Sequence, residues 1–107
     1  MNNDELAKEL GGILDEAKQL VTKDRAGTHG NAIKTLDALA EFWRSYLYVR
    51  TGGYTINFTG SDVAEMLCML KLARKCTGQF HRDNYADTIG YAALAFAAAL
   101  WENRNED

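Results

Sequence analysis

Proline is absent from all 107 residues. At its average frequency a chain of this length would carry about five, and proline costs a helix interior about 3 kcal/mol. Its absence fits an all-helical chain. Cysteine is scarce, with Cys68 and Cys76 alone. On one helix they would stand about 12 Å apart, well beyond the 7 Å or so that bridged Cα atoms reach, which excludes a disulfide between them. Free thiols and a reducing cytoplasm, that of a host cell, are expected.

Long apolar runs are also lacking. The most apolar stretch, Ile89 to Trp101, is too short to span a bilayer. Met1 to Glu9 carries charges where a secretory leader would have an apolar core. A soluble protein with no membrane partner is expected. Positive charge is not in excess, since fifteen acidic residues against twelve basic ones give a net charge of −3. This balance does not fit a whole-surface footprint for extended nucleic acid, so no such partner is expected and any anion site must be local. No Ser-His-Asp, G-x-S-x-G or P-loop pattern is present, and Gly27-x-x-Gly30 is too little to make a phosphate loop. Cys68, Cys76 and His81 match no familiar zinc spacing.

What the chain does have is length and hydrophobicity for one domain over residues 1–107, with 47% hydrophobic residues and no cofactor or metal needed for folding. Leu6, Leu10, Ile13, Leu14, Ala17, Leu20 and Val21 recur at helical spacing, with Asn3 as the expected cap. Gly11-Gly12 within this stripe suggests a close helix crossing. Asn31 can cap a second helix carrying Ile33, Leu36, Leu39, Ala40, Trp43 and Leu47, which ends before Thr51-Gly52-Gly53. Tyr54, Ile56 and Phe58 alternate in a segment read as a crossover loop. Thr59-x-x-Asp62 fits a capping box for a third helix, with Val63, Met66, Leu67, Leu70 and Ala73 on its apolar stripe and Gly78 as its stop. Asp83 or Asn84 can cap a fourth helix, whose Tyr85-to-Trp101 arc is unusually wide. A polar tail that frays from about residue 102 is expected.

Short first and third connections and a longer second one predict an all-α, four-helix bundle-like fold of two antiparallel hairpins. In an up-down-up-down bundle, loops 24–30 and 76–82 share one end. That arrangement would bring Arg25, Thr28 and His29 towards Lys71, Arg74, His81 and Arg82, a set suited to phosphate. Asp83 and Asp87 fall at the same end. The wide arc of the fourth helix predicts a homodimer or larger assembly.

Several landmarks occur together. They are Asp24-Arg25 with Thr28, His29 and Gly30; Trp43 and Tyr46; Thr59, Asp62, Val63, Lys71 and Arg74; and the run from Arg82 to Ala92. On these residues the stretch from Ile13 to Ala93 resembles a family of small phage and prophage proteins of unassigned function. The resemblance implies an all-α fold and a phage origin, with no established activity. Asn84-x-x-Asp87 is remotely similar to half of the magnesium site of MazG-like all-α NTP pyrophosphatases. That similarity implies magnesium as cofactor and, across two subunits, Asp62, Glu65, Asp83 and Asp87 as its ligands.

Three functions follow. The preferred one is a phage accessory protein that binds a nucleotide or another phosphorylated small molecule and sequesters a host signal. The alternatives are a magnesium-dependent pyrophosphatase and a protein-interaction module that inhibits a host factor.

Overall fold

Side chains near each boundary define where the helices begin and stop. In the computed structural model, which describes residues 1–24 and 31–104, α1 spans Asn3–Gln19, α2 Ala32–Arg50, α3 Gly60–Thr77 and α4 Arg82–Glu102. The Asn2 carboxamide caps α1 by accepting from the Glu5 N–H at 2.8 Å, one residue before the expected Asn3. Asp4 and Glu5 then occupy the electropositive first turn. After Gln19 the chain widens into a π-helical turn, Leu20–Asp24.

As expected, Asn31 caps α2, accepting from the N–H groups of Ile33 and Lys34 at 2.8 and 3.3 Å. Beyond Arg50 the chain turns through Gly52 and Gly53 at φ +77° and +110°, a region that side chains other than glycine rarely tolerate. No strand forms before Thr59, and Arg44 ties this crossover to α2 by donating to the Phe58 carbonyl. The capping box is present: Thr59 N–H donates to the Asp62 carboxylate at 3.0 Å, and Asp62 N–H donates to the Thr59 hydroxyl at 3.3 Å. Gly78 ends α3. His81, rather than Asp83 or Asn84, holds the N-cap position of α4, without a side-chain capping bond. Glu102, the last residue of α4, is tied to the start of α3, because its carboxylate accepts from the Ser61 N–H and hydroxyl at 3.0 and 2.7 Å.

The fold is all-α and bundle-like. At its centre α3 and α4 form an antiparallel hairpin, registered by Lys71 against Asp87 at one end and Ser61 against Glu102 at the other. α2 packs where α3 begins and α4 ends. The core there joins Leu36 and Ala40 to Val63, Ala64, Ala95 and Ala98, with Trp43, Phe58 and Leu67 around it. α1 packs on the opposite half of α4. Glu9, Gly12 and Glu16 lie by Arg82, and Val21 lies by Gly90, so α1 and α4 run parallel.

This parallel placement corrects one expectation. The segment after Asp24 departs from beside the middle of α4, about 12 Å of helix rise from where α4 begins. Loops 24–30 and 76–82 therefore do not leave from one end. The ion pairs from Arg82 to Glu9 and Glu16 fix α1 in this register. Gly11-Gly12 is not a helix crossing either, because a Cβ on Gly11 would meet nothing within 4 Å and one on Gly12 would meet only the Arg82 guanidinium, at 3.3 Å. Close approach occurs at Gly90, where a Cβ would lie 3.1 Å from Val21 Cγ1, and at Gly60, where one would lie 2.7 Å from Asp37 Oδ1, 3.3 Å from Leu36 Cβ and 3.4 Å from the Asp37 backbone nitrogen.

Two substitutions test this packing. Gly60→Val should overpack the α2–α3 contact and destabilise the protein by about 1–3 kcal/mol. Thr59→Ala should lose the cap at a cost of about 1 kcal/mol. Urea unfolding followed by circular dichroism reads both, and an unchanged midpoint for Gly60→Val would contradict the close approach.

Candidate functional site

Helix register brings basic and amide groups together where α3 turns into α4. A cavity of about 440 Å³ opens there, between the last turns of α3, the Gly78–His81 turn and the first turns of α4. On its α3 side stand Lys71 and Arg74, one helical turn apart. Lys71 is 9% exposed, and its ammonium meets the Asp87 carboxylate at 2.8 Å, so its charge is already matched. Arg74 is exposed and forms no ion pair with a described residue. Its guanidinium is the cation this cavity can offer to an anion.

The α4 side contributes His81, Asp83, Asn84 and Asp87. His81 and Asp83 are exposed at the rim, whereas Asn84 is only 8% exposed. The Asn84 carbonyl of the backbone accepts from the Thr88 hydroxyl at 2.6 Å, but its side-chain carboxamide makes no hydrogen bond with a described residue. No side-chain polar atom among the described residues is fully buried without a partner, so this carboxamide reaches the open space of the cavity. The residue is buried, but its carboxamide opens on the cavity, where its two donors and one acceptor can be met by water or by a polar ligand.

Asn84, which the sequence offered both as a cap and as the first residue of the Asn84-x-x-Asp87 pair, does not cap α4 and instead lines the cavity. Its i, i+3 spacing from Asp87 was the available signal, since that spacing puts both on one helix face.

The other expected residues separate. Arg82 points away from this cavity to α1, where it bonds Glu16 at 2.6 Å and lies 3.5 Å from Glu9. The hydrogen bond and charge of Glu16, reinforced by Glu9, raise its already high pKa. Parallel packing of α1 supplies these carboxylates and takes Arg82 out of the proposed cationic set. Arg25, Thr28 and His29 lie outside the described residues.

The acidic set is spread along the hairpin. Asp62 is occupied by the capping box, and along α3 it lies about 14 Å of rise from Lys71, with Glu65 about 9 Å away. Asp83 and Asp87 sit at the other end, beside the turn. Among the described residues, no group of three or more histidine, cysteine or acidic side chains could hold a metal ion. Glu41 stands 4.0 Å from Arg44 on its own helix.

Cys68 and Cys76 are free thiols. The half-buried Cys68 donates to the Thr88 carbonyl at 3.7 Å, and burial, followed by the charge of Glu65, raises its pKa. Trp43 packs at the core edge, while Tyr46 stands exposed on α2. No described helix is long and apolar enough to cross a membrane.

Comparison with known proteins places these features in a phage setting. Residues 12–99 match the family described as "Domain of unknown function (DUF6378)". The chain is 33% identical over 82 residues to the "Gene 55 protein" of Mycobacterium phage L5, covering 77% of this chain and 49% of that protein. It is 32% identical over 81 residues to the "Gene 55 protein" of Mycobacterium phage D29, covering 75% and 48%. The chain thus spans about half the length of these curated relatives. No solved structure matches it.

The Lys71–Asp87 pair gives a stability test that is independent of any ligand. Lys71→Met alone leaves a mostly buried carboxylate without its partner and should cost about 1.5–3 kcal/mol in urea unfolding. Adding Asp87→Leu should recover most of that loss, as apolar replacement of a buried pair does. Additive losses in the double variant would show that the two side chains do not act as a pair.

Proposed function

The chain belongs to the DUF6378 family of phage proteins of unknown function, and on that footing we propose that it binds a phosphorylated small molecule of the nucleotide class in the cavity at the α3–α4 turn. The Asn84 carboxamide carries this reading. It is buried, lacks a partner among the described residues and faces a cavity of about 440 Å³, within the range of small-molecule sites. A carboxamide can donate to and accept from a nucleobase edge. Arg74, one turn beyond the neutralised Lys71, supplies a planar fork suited to phosphate. His81 at the rim adds a further donor.

Binding is favoured over hydrolysis by the state of the carboxylates. Asp87 is engaged by Lys71, and Asp62 by its cap at the far end of the hairpin. A protein that holds a nucleotide without turning it over lowers the free concentration of that nucleotide, which is the chemistry of sequestering a host signal.

Calorimetry against nucleoside mono-, di- and triphosphates and inorganic phosphate tests the proposal. Binding of the best of these should weaken with rising salt. Arg74→Ala should lower affinity about 10- to 100-fold, the equivalent of one charge-assisted hydrogen bond of about 1.5–3 kcal/mol. Asn84→Leu should weaken nucleotide more than inorganic phosphate, and Arg82→Ala should leave the affinity unchanged. No binding at millimolar concentration, or unchanged affinity in Arg74→Ala, would overturn the assignment.

A further inference from the structure

The surface of this chain is too large for its mass. A folded monomer of 11.9 kDa should expose about 6,000 Å², yet the chain exposes 7884 Å². Its radius of gyration is 16.4 Å, against about 13 Å for a compact chain of this length. The excess is about 1,900 Å² per chain. Two chains together therefore carry a surplus within the 2,000–5,000 Å² or so that permanent homodimers bury.

Exposed apolar side chains occur on every helix, and those of α4 form a continuous stripe. On α4, Tyr85, Ile89, Ala92, Phe96 and Leu100 succeed one another at steps of three and four and form one stripe. Phe96 and Leu100 are 69% and 62% exposed. At its start, beside Tyr85 and Ile89, the stripe lies in an apolar groove of about 330 Å³ walled by Leu10 and Ile13 of α1. Farther along, beyond the π-helical turn, Ala92, Phe96 and Leu100 stand exposed. From Thr88 to Trp101 no residue is charged, which is unlike a helix face designed for water. Residues 25–30, the six between α1 and α2 that are not described, include one alanine and no larger apolar side chain, so they have little with which to cover this face.

We infer that a second copy of the chain covers the α4 stripe, with the two copies meeting across the same face about a two-fold axis. Such an interface is self-complementary, so the Phe96 and Leu100 of each copy meet the apolar stripe of the other. Alanines at 92 and 93 permit close approach of the two helices. The Asn84 cavity is on another face of α4 and remains open in the pair, so this inference stands apart from the ligand proposal.

Sedimentation velocity and light scattering at micromolar concentration test it. The wild type should run as a dimer of about 24 kDa. Phe96→Glu should convert it to a monomer whose circular dichroism stays helical, because the substituted side chain is not in the monomer core. Leu100→Glu supplies a second variant should the first fail to fold, and Phe42→Glu, on the exposed face of α2, should leave the dimer intact. A monomeric wild type at 100 µM or so, or a dimer unaffected by a folded α4 variant, would overturn the inference.

Discussion

Helix α4 has to be covered on most of its sides, because no charge interrupts it between Thr88 and Trp101. The other helices take up that task in turn. α3 lies along it, α2 closes over its end through Ala95 and Ala98, and α1 closes over its beginning against Gly90. The contacts are made largely by small side chains, and Val63 is the largest fully buried residue among those described. Burial of alanine and valine removes less apolar area than burial of leucine or phenylalanine. Close backbone approach and correct caps therefore matter more here than in a core filled by large residues. Many large apolar side chains stand at the periphery instead.

Two arginines near the α3–α4 turn show how context divides chemically equal groups. Arg74 projects beside a lysine already matched by Asp87 and has no acidic partner among the described residues. Arg82 is gripped by two glutamates of α1 and becomes a strut between helices. The difference comes from the partner helix that each one faces. A tally of basic residues at the turn treats them alike, whereas the packing leaves the Arg74 guanidinium as the one available at the cavity among the described residues.

Local features were legible in the sequence, and relations between distant segments were not. Asn31, the Thr59–Asp62 box and Gly78 mark helix ends through bonds reaching only a few residues, so their spacing suffices. The match of Lys71 to Asp87 also follows from counting across a short antiparallel turn. The parallel course of α1 along α4 does not, since helical periodicity names an apolar face without saying which helix covers it. The pairing of Arg82 with Glu9 and Glu16 is illegible in the sequence for that reason. Asn84 stood out by its spacing from Asp87, but an asparagine near a helix start also reads as a cap, and its place beside an open cavity depends on how the chain packs.

The π-helical turn at Leu20–Asp24 has a consequence for how sequences of this kind can change in length. A π turn holds one more residue than the α turn it replaces. Deleting one residue there would restore a regular helix and rotate everything beyond it by about 100°. Deletion of Leu20 or Val21 would take the Val21 methyl group away from Gly90, where it sits 3.1 Å from the position of a Cβ. Single-residue deletions at this turn should consequently be purged in related chains, even though the side chains of Thr22 and Lys23 are exposed and tolerant of substitution. The constraint falls on the number of residues there and hardly at all on their identity.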